Sequence, residues 1–194
     1  MRTKQLGVPD KWTYAFGVAL DSSQNVYVVG ETQGGLDGNT LIGAGDFFLT
    51  KYDSSGNKVR TKQLGVPSTN TVATGVTVDS RGDVYVAGYT FGGLDGNTLI
   101  GLRDCFITKY DPLGNKIRTK QLGVPGADTY AKAVAIDSSD NLYVAGYTSG
   151  GLDGNTLTGT ADLFLTKYDP LGNKIRTKQL GVSSVGTYDA SIVV

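Results

Sequence analysis

Between residues 14 and 20 the bulky apolar Tyr14, Phe16, Val18 and Leu20 alternate with the small Ala15, Gly17 and Ala19. Alternation of this kind predicts a strand, and apolar residues at both parities predict one covered on both faces, bulky side chains toward one neighbour and small ones toward the other. Residues 26–30 form a short β-branched and aromatic run that reads as a second strand buried on both sides. Residues 47–52 alternate Phe48, Thr50 and Tyr52 with Phe47, Leu49 and Lys51, which predicts a half-buried third strand. Residues 58–65 carry Arg60, Lys62 and Gln63, as suits an exposed sheet edge. Asx- and glycine-bearing turns at 21–25 and 53–57 join these strands as antiparallel hairpins.

The pattern then repeats. Arg-Thr-Lys-Gln-Leu-Gly-Val begins at Arg2, Arg60, Arg118 and Arg176, each 58 residues after the last, without insertion or deletion. The chain is therefore a single repeat array, with copies at 2–59, 60–117 and 118–175 and a partial copy at 176–194. Four antiparallel strands graded from a buried inner strand to a polar outer one describe a blade of an all-β propeller. The unit is longer than the roughly 40–50 residues of common blades, and the excess lies in the loop at 34–46. In strand order the chain opens with a fourth-strand sequence, runs through three full sets and closes with a first-strand sequence. Three complete four-stranded blades plus partial strands at both ends are the expectation. In the last copy Asp189 and Ser191 replace small apolar residues, which marks a capping or weakened blade.

Charge and composition narrow the chemistry. Lys plus Arg is 18 and Asp plus Glu is 18, so no net field draws the chain to nucleic acid or an anionic membrane. No apolar run approaches the roughly 18 residues of a membrane span, and no signal-peptide pattern precedes the first copy, which points to a cytoplasmic protein or an excised piece. Cys105 is the single cysteine and shares its column with Phe47 and Leu163, as a core residue would. Histidine is absent, which removes the commonest general base and transition-metal ligand; no zinc site, nucleophilic triad or cofactor is expected.

The long loop is the most distinctive segment. Gly-Gly-Leu-Asp-Gly-Asn-Thr-Leu occupies residues 34–41 and recurs unchanged at 92–99 and 150–157. Because it links second and third strands, it is expected on the face that carries the blade-to-blade loops. Asp37, Asn39 and Thr40, with Asp95, Asn97 and Thr98 and with Asp153, Asn155 and Thr156, are candidate contacts for a sugar, a peptide or calcium. One Asp and one Asn per loop fall short of the six to eight oxygens that calcium takes, so no metal site is assigned. The same letters also make Asx turns and positive-φ glycines that fold a loop onto itself, and this structural reading is the simpler one. Asp46, Asp104 and Asp162, and Asp21, Asp79 and Asp137, adjoin turns in every copy and are expected to close them rather than to catalyse. Departures from symmetry are few: Trp12, Phe91, Arg103 and Lys132. Trp12 and Phe91 fall in predicted loops as candidate contact residues, with local packing the equal alternative.

Residues 17–30 read Gly-Val-Ala-Leu-Asp-Ser-Ser-Gln-Asn-Val-Tyr-Val-Val-Gly, and residues 47–57 read Phe-Phe-Leu-Thr-Lys-Tyr-Asp-Ser-Ser-Gly-Asn. This pattern resembles the bacterial SBBP β-propeller repeat, a relative in pattern of NHL repeats, across all three copies and part of the fourth. The resemblance implies propeller blades of secreted or cell-surface bacterial proteins without an assigned activity. Three blades are too few to close a ring, so either chains associate as a homo-oligomer that completes one, or the chain is a piece of a longer array. The functional expectation is a non-enzymatic binding or scaffold module with a glycan or protein ligand on the long-loop face. Its alternatives are a carboxylate-based glycan hydrolase or lyase and a purely structural assembly unit.

Overall fold

The computed structural model describes residues 3–188 and 191–192. Twelve strands form three four-stranded antiparallel meanders. The first sheet runs β1 (Thr13–Leu20), β2 (Val26–Thr32), β3 (Asp46–Tyr52), β4 (Lys58–Leu64). The second runs β5 (Thr71–Val78), β6 (Val84–Thr90), β7 (Asp104–Tyr110), β8 (Lys116–Leu122), and the third β9 (Thr129–Ile136), β10 (Leu142–Thr148), β11 (Asp162–Tyr168), β12 (Lys174–Leu180). One device joins each sheet to the next copy: Thr71 N–H donates to Gly45 O at 2.9 Å, Thr129 N–H to Arg103 O at 2.9 Å and Thr187 N–H to Ala161 O at 2.8 Å. β5 and β9 are thereby pinned beside the starts of β3 and β7, and Thr187 beside the start of β11.

The middle sheet shows how the apolar pattern is used. Val84 and Val86 of β6 pack with Tyr27, Val29, Phe47 and Leu49 of the first sheet, whereas Tyr85 and Ala87 pack with Val134, Val144 and Phe164 of the third. Phe47 and Phe106 stack with ring centroids 5.2 Å apart. With a sheet on either side, β7 is buried along its whole length, deeper than its alternation predicts. Cys105 lies in the second of these interfaces, and burial pushes its thiol up to about 12, which leaves it protonated and inert.

The first strands depart from simple alternation. In β1 the register slips between Ala15 and Gly17, leaving Phe16 without a partner, and the slip recurs at Thr74 and Lys132. Such a β-bulge shifts the parity of everything beyond it by one residue. Tyr14 therefore stands opposite Glu31 but Val18 opposite Val28, so the two lie on different faces, contrary to the single bulky face that the sequence predicts. The bulge also crowds the second strand. A Cβ on Gly30 would stand 1.7 Å from Tyr14 O, and one on Gly88 1.9 Å from Val72 O, so the column admits only glycine.

Aspartates close the turns. Asp137 accepts the backbone N–H groups of Ser139 and Asn141 at 2.9 Å, the Asn141 side chain at 2.9 Å and the Tyr143 hydroxyl at 3.0 Å. The Asn141 side chain, helped by the other donors and opposed by burial, lowers its carboxyl to about 2. Asp162 is fully buried and accepts from Thr158 N–H and Gly159 N–H at 2.8 Å and from the Gln179 amide at 3.0 Å. Burial pushes this carboxyl up, and the three donors more than offset it, holding it below the usual carboxylate range.

Among the described residues neither expected partial strand is seen, and much of the one expected at the C-terminal end lies outside them. Residues 3–7 pair with no strand, and Val8 makes only an isolated bridge to Lys11. An outer strand needs a third strand beside it, and β3, β7 and β11 already hold β4, β8 and β12. Thr187 is pinned to the third sheet but does not start a strand, and Asp189 lies outside the described residues.

Gly88→Ala is expected to lower stability by about 1–3 kcal/mol through overpacking at the bulge; an unchanged urea midpoint would contradict the crowding. Asp137 is lowered on folding, so its contribution is complete above its ordinary value of 3.8 and lost as the pH falls toward about 2. Stability should therefore drop between pH 4 and pH 2, and less steeply in Asp137→Asn, as read from urea midpoints across that range.

Candidate functional site

Each long loop turns at a short 3-10 segment, Leu36–Gly38 in the first copy, where Asp37 and Gly38 take φ of 53° and 79°. Left-handed backbone of this kind is tolerated by aspartate and glycine. From there the loop doubles back along the outer strand of its own sheet. Leu36 N–H donates to Gln63 Oε1 at 3.0 Å, and the Asn39 amide donates to Leu36 O at 2.7 Å and Thr61 O at 3.3 Å. The Asp37 carboxylate accepts from the Lys58 ammonium and the Thr61 hydroxyl, which together outweigh burial and keep it below the usual carboxylate range. Asp95 likewise holds Lys116, and Asp153 holds Lys174 and Thr177. Asn97 and Asn155 repeat the bonds of Asn39. Thr40, Thr98 and Thr156 are exposed. The aspartates and asparagines thus fasten each loop to the rim of its own sheet, and the three sets share no bond with one another. Among the described residues no three Cys, Asp or Glu side chains gather as metal ligands.

Trp12 and Phe91 stand apart. Trp12 is exposed and stacks on Tyr14 at 5.9 Å, which stacks on Phe16 at 6.2 Å, all on the first sheet. Phe91, half-buried, follows β6 and lies beneath the Arg103 guanidinium, 4.6 Å from the ring centroid. From Phe91 an aromatic strip runs on through residues that the sequence did not single out. Tyr89 is 6.1 Å from Phe91, Tyr130 4.7 Å from Tyr89, Tyr147 4.7 Å from Tyr130 and Tyr188 5.1 Å from Tyr147. Arg103 donates to Asp128 Oδ2 at 2.9 Å and to the Tyr130 hydroxyl. The Lys132 ammonium lies 5.4 Å from the Tyr147 centroid and 5.8 Å from that of Tyr130. Burial raises the Tyr147 phenol to about 12, neighbouring tyrosines adding to the effect, so the strip stays uncharged at its hydroxyls near neutral pH. Glu31 sits beyond Tyr89, and burial pushes its carboxyl up.

Of the departures from symmetry, Phe91, Arg103 and Lys132 come together here and Trp12 does not. The tyrosines escaped notice because tyrosine in a strand reads as packing; comparing the copies column by column would have flagged them. Fixed cations, ring edges and hydroxyls on a half-exposed surface are the equipment of recognition.

The regulatory protein FlaEY of Caulobacter vibrioides is 31% identical over 180 residues, which covers 84% of this chain and 19% of that protein. The chain thus spans about a fifth of that relative's length. Among solved structures, the eukaryotic initiation factor matches with a TM-score of 0.46 and 11% identity, over 88% of this chain and 33% of the other. The profile of the SBBP β-propeller repeat matches residues 2–37, 59–95 and 117–153, more than half of the sequence and once in each complete copy. Three four-stranded antiparallel sheets in register with three such matches place the chain in one family: it belongs to the SBBP β-propeller repeat proteins.

Proposed function

We propose that the chain is a non-enzymatic binding and scaffold segment of a β-propeller, whose end faces dock onto a second copy of the chain to complete a ring. One comparison carries this reading. Val18 is 67% exposed on the first blade, whereas its counterparts Val76 and Val134, which have a blade before them, are 7% and 9% exposed. The last blade mirrors it: Leu165 is 42% exposed, against 5% for Leu49 and 8% for Ile107. The two outer faces are therefore the two halves of the contact that is already made twice inside the chain, and a head-to-tail pairing would bury both.

Polar contacts support the same pairing. Arg60 donates to Pro112 O at 2.5 Å and Lys120 to Gly172 O at 2.6 Å, each reaching from an outer strand to the hairpin of the next blade. Arg176 and Lys178 fill the same columns on the last blade and are exposed. The terminal segments cover the end faces loosely. An open cleft of about 500 Å³ lies between Lys4, Leu6 and the first blade's Val28 and Phe48, and one of about 390 Å³ lies between Ile192 and the last blade's Leu165 and Leu180.

A non-catalytic role rests on the carboxylates. Asp21, Asp37, Asp46 and Asp53, with their counterparts in the other copies, are engaged by hydrogen bonds within their own blade, and Asp140 by Ser80 of the blade before it, which favours binding over acid–base work and leaves the long-loop face as the contact surface. The relative's description as a regulatory protein fits a binding role. Secretion or display at a bacterial surface follows from the family's usual setting, and no helix among the described residues is long and apolar enough to cross a membrane.

Sedimentation equilibrium at micromolar concentration should give a mass above the 20.4 kDa of one chain, and Val18→Asp with Leu165→Lys should return it to that value. A wild-type protein that stays at one chain mass throughout would remove the second copy and leave further blades of the same polypeptide as the cover.

A further inference from the structure

The copies are close to identical in scaffold, so the places where they differ in chemistry are informative. Apart from the hairpin turns at the opposite end, where Arg81 and Asp140 differ from their counterparts, five columns that differ sharply meet in space. These read Trp12, Asn70, Asp128; Phe16, Thr74, Lys132; Glu31, Tyr89, Tyr147; Gln33, Phe91, Ser149; and Gly45, Arg103, Ala161. The fold brings them to the junctions between blades on the long-loop face. Gly45 bridges Asn70, Arg103 bridges Asp128, and Phe91 N–H donates to Asn70 O. Glu31 lies against Gly45 and Asn70, where a Cβ on the glycine would meet its carboxyl oxygen at 2.3 Å. The second column is the bulge itself, a device that re-aims a side chain out of the ladder.

Resting on the reading of the long-loop face as a contact surface, we infer that the strip Phe91, Arg103, Tyr89, Tyr130, Lys132, Tyr147 binds an extended peptide segment of a protein partner, with an acidic side chain beside an aromatic or proline one. The composition is that of interface hot spots, where tyrosine and arginine give large contact area at small entropic cost. Charge sets the polarity. Lys132 makes no ion pair among the described residues, while Arg103 is paired with Asp128 and Glu31 stands at the far end. An acidic group at the Lys132 end completes the pairing, and apolar side chains fit the ring edges toward Phe91. A sugar is disfavoured because its stacking needs open ring faces, and Arg103 and Lys132 lie over those of Phe91, Tyr130 and Tyr147. Arg103 Nε and Asp128 Oδ1 are buried and lack partners, a donor and an acceptor whose needs a single amide group meets once the strip opens around a ligand.

The repeat supplies its own control substitutions. Phe91→Ser, Arg103→Ala, Asp128→Asn and Lys132→Thr each install the residue of a sister copy, one that the same position of another blade already accommodates. Dodecapeptides selected by phage display on the wild-type chain would be resynthesised and titrated by calorimetry, with a soluble glycan panel run alongside. The expected result is a saturable acidic and aromatic or proline-bearing peptide, at least tenfold weaker on the fourfold variant and unchanged on Arg81→Ser at the opposite end. If the fourfold variant fails to fold, Lys132→Thr alone decides, and no loss of peptide affinity there overturns the inference. Equal peptide binding to wild type and variant overturns the strip while leaving the module reading intact, and so does glycan binding lost in the variant. No binding in either panel overturns both.

Discussion

A sheet with apolar residues on both faces cannot be stable in water by itself, and the contact between successive sheets is what everything else in this molecule depends on. Each interface joins a face rich in Val, Phe and Tyr to the next blade's first three strands, and the middle blade is buried along β7 because it has two such contacts. Stability in such an array is approximately a sum of blade and neighbour terms. The same dependence explains why Val18 and Leu165, so similar to buried counterparts, lie open.

Much of this was legible in the chain. The period of 58 residues gave the copies, and alternation placed each strand to within two residues because both signals are local and repeated three times. What escaped came from contacts between distant residues. The bulge at Phe16 arises where the backbone of Tyr14 crowds Gly30, and no run of letters within the first strand announces it. The long loop was placed on the correct end, but its return along the outer strand rests on Lys58, Thr61 and Gln63, more than 20 residues downstream of Asp37 and Leu36. The aromatic strip was half visible, through Phe91, Arg103 and Lys132, and half hidden among tyrosines that look like core.

The bulge has a bearing on how the copies diverged. A residue skipped by the ladder has no cross-strand partner whose size or charge it must match, so Phe16, Thr74 and Lys132 can occupy it in turn without disturbing register. Its neighbour Gly30, with Gly88 and Gly146, is fixed for the opposite reason. Variation and constancy sit one strand apart in the same blade.

The outer-strand sequence Arg-Thr-Lys-Gln-Leu-Gly-Val, present four times, has a consequence for assembly. Three copies occupy β4, β8 and β12, and the segment at 3–8 has the same letters and pairs with no strand among the described residues. Each third strand would accept any of the four with the same pairing, so only loop closure and connectivity favour the observed choice. Outer strands of this chain are interchangeable parts. During folding, and between neighbouring molecules at high concentration, strand exchange would preserve nearly every hydrogen bond of the sheet while changing which polypeptide supplies its edge.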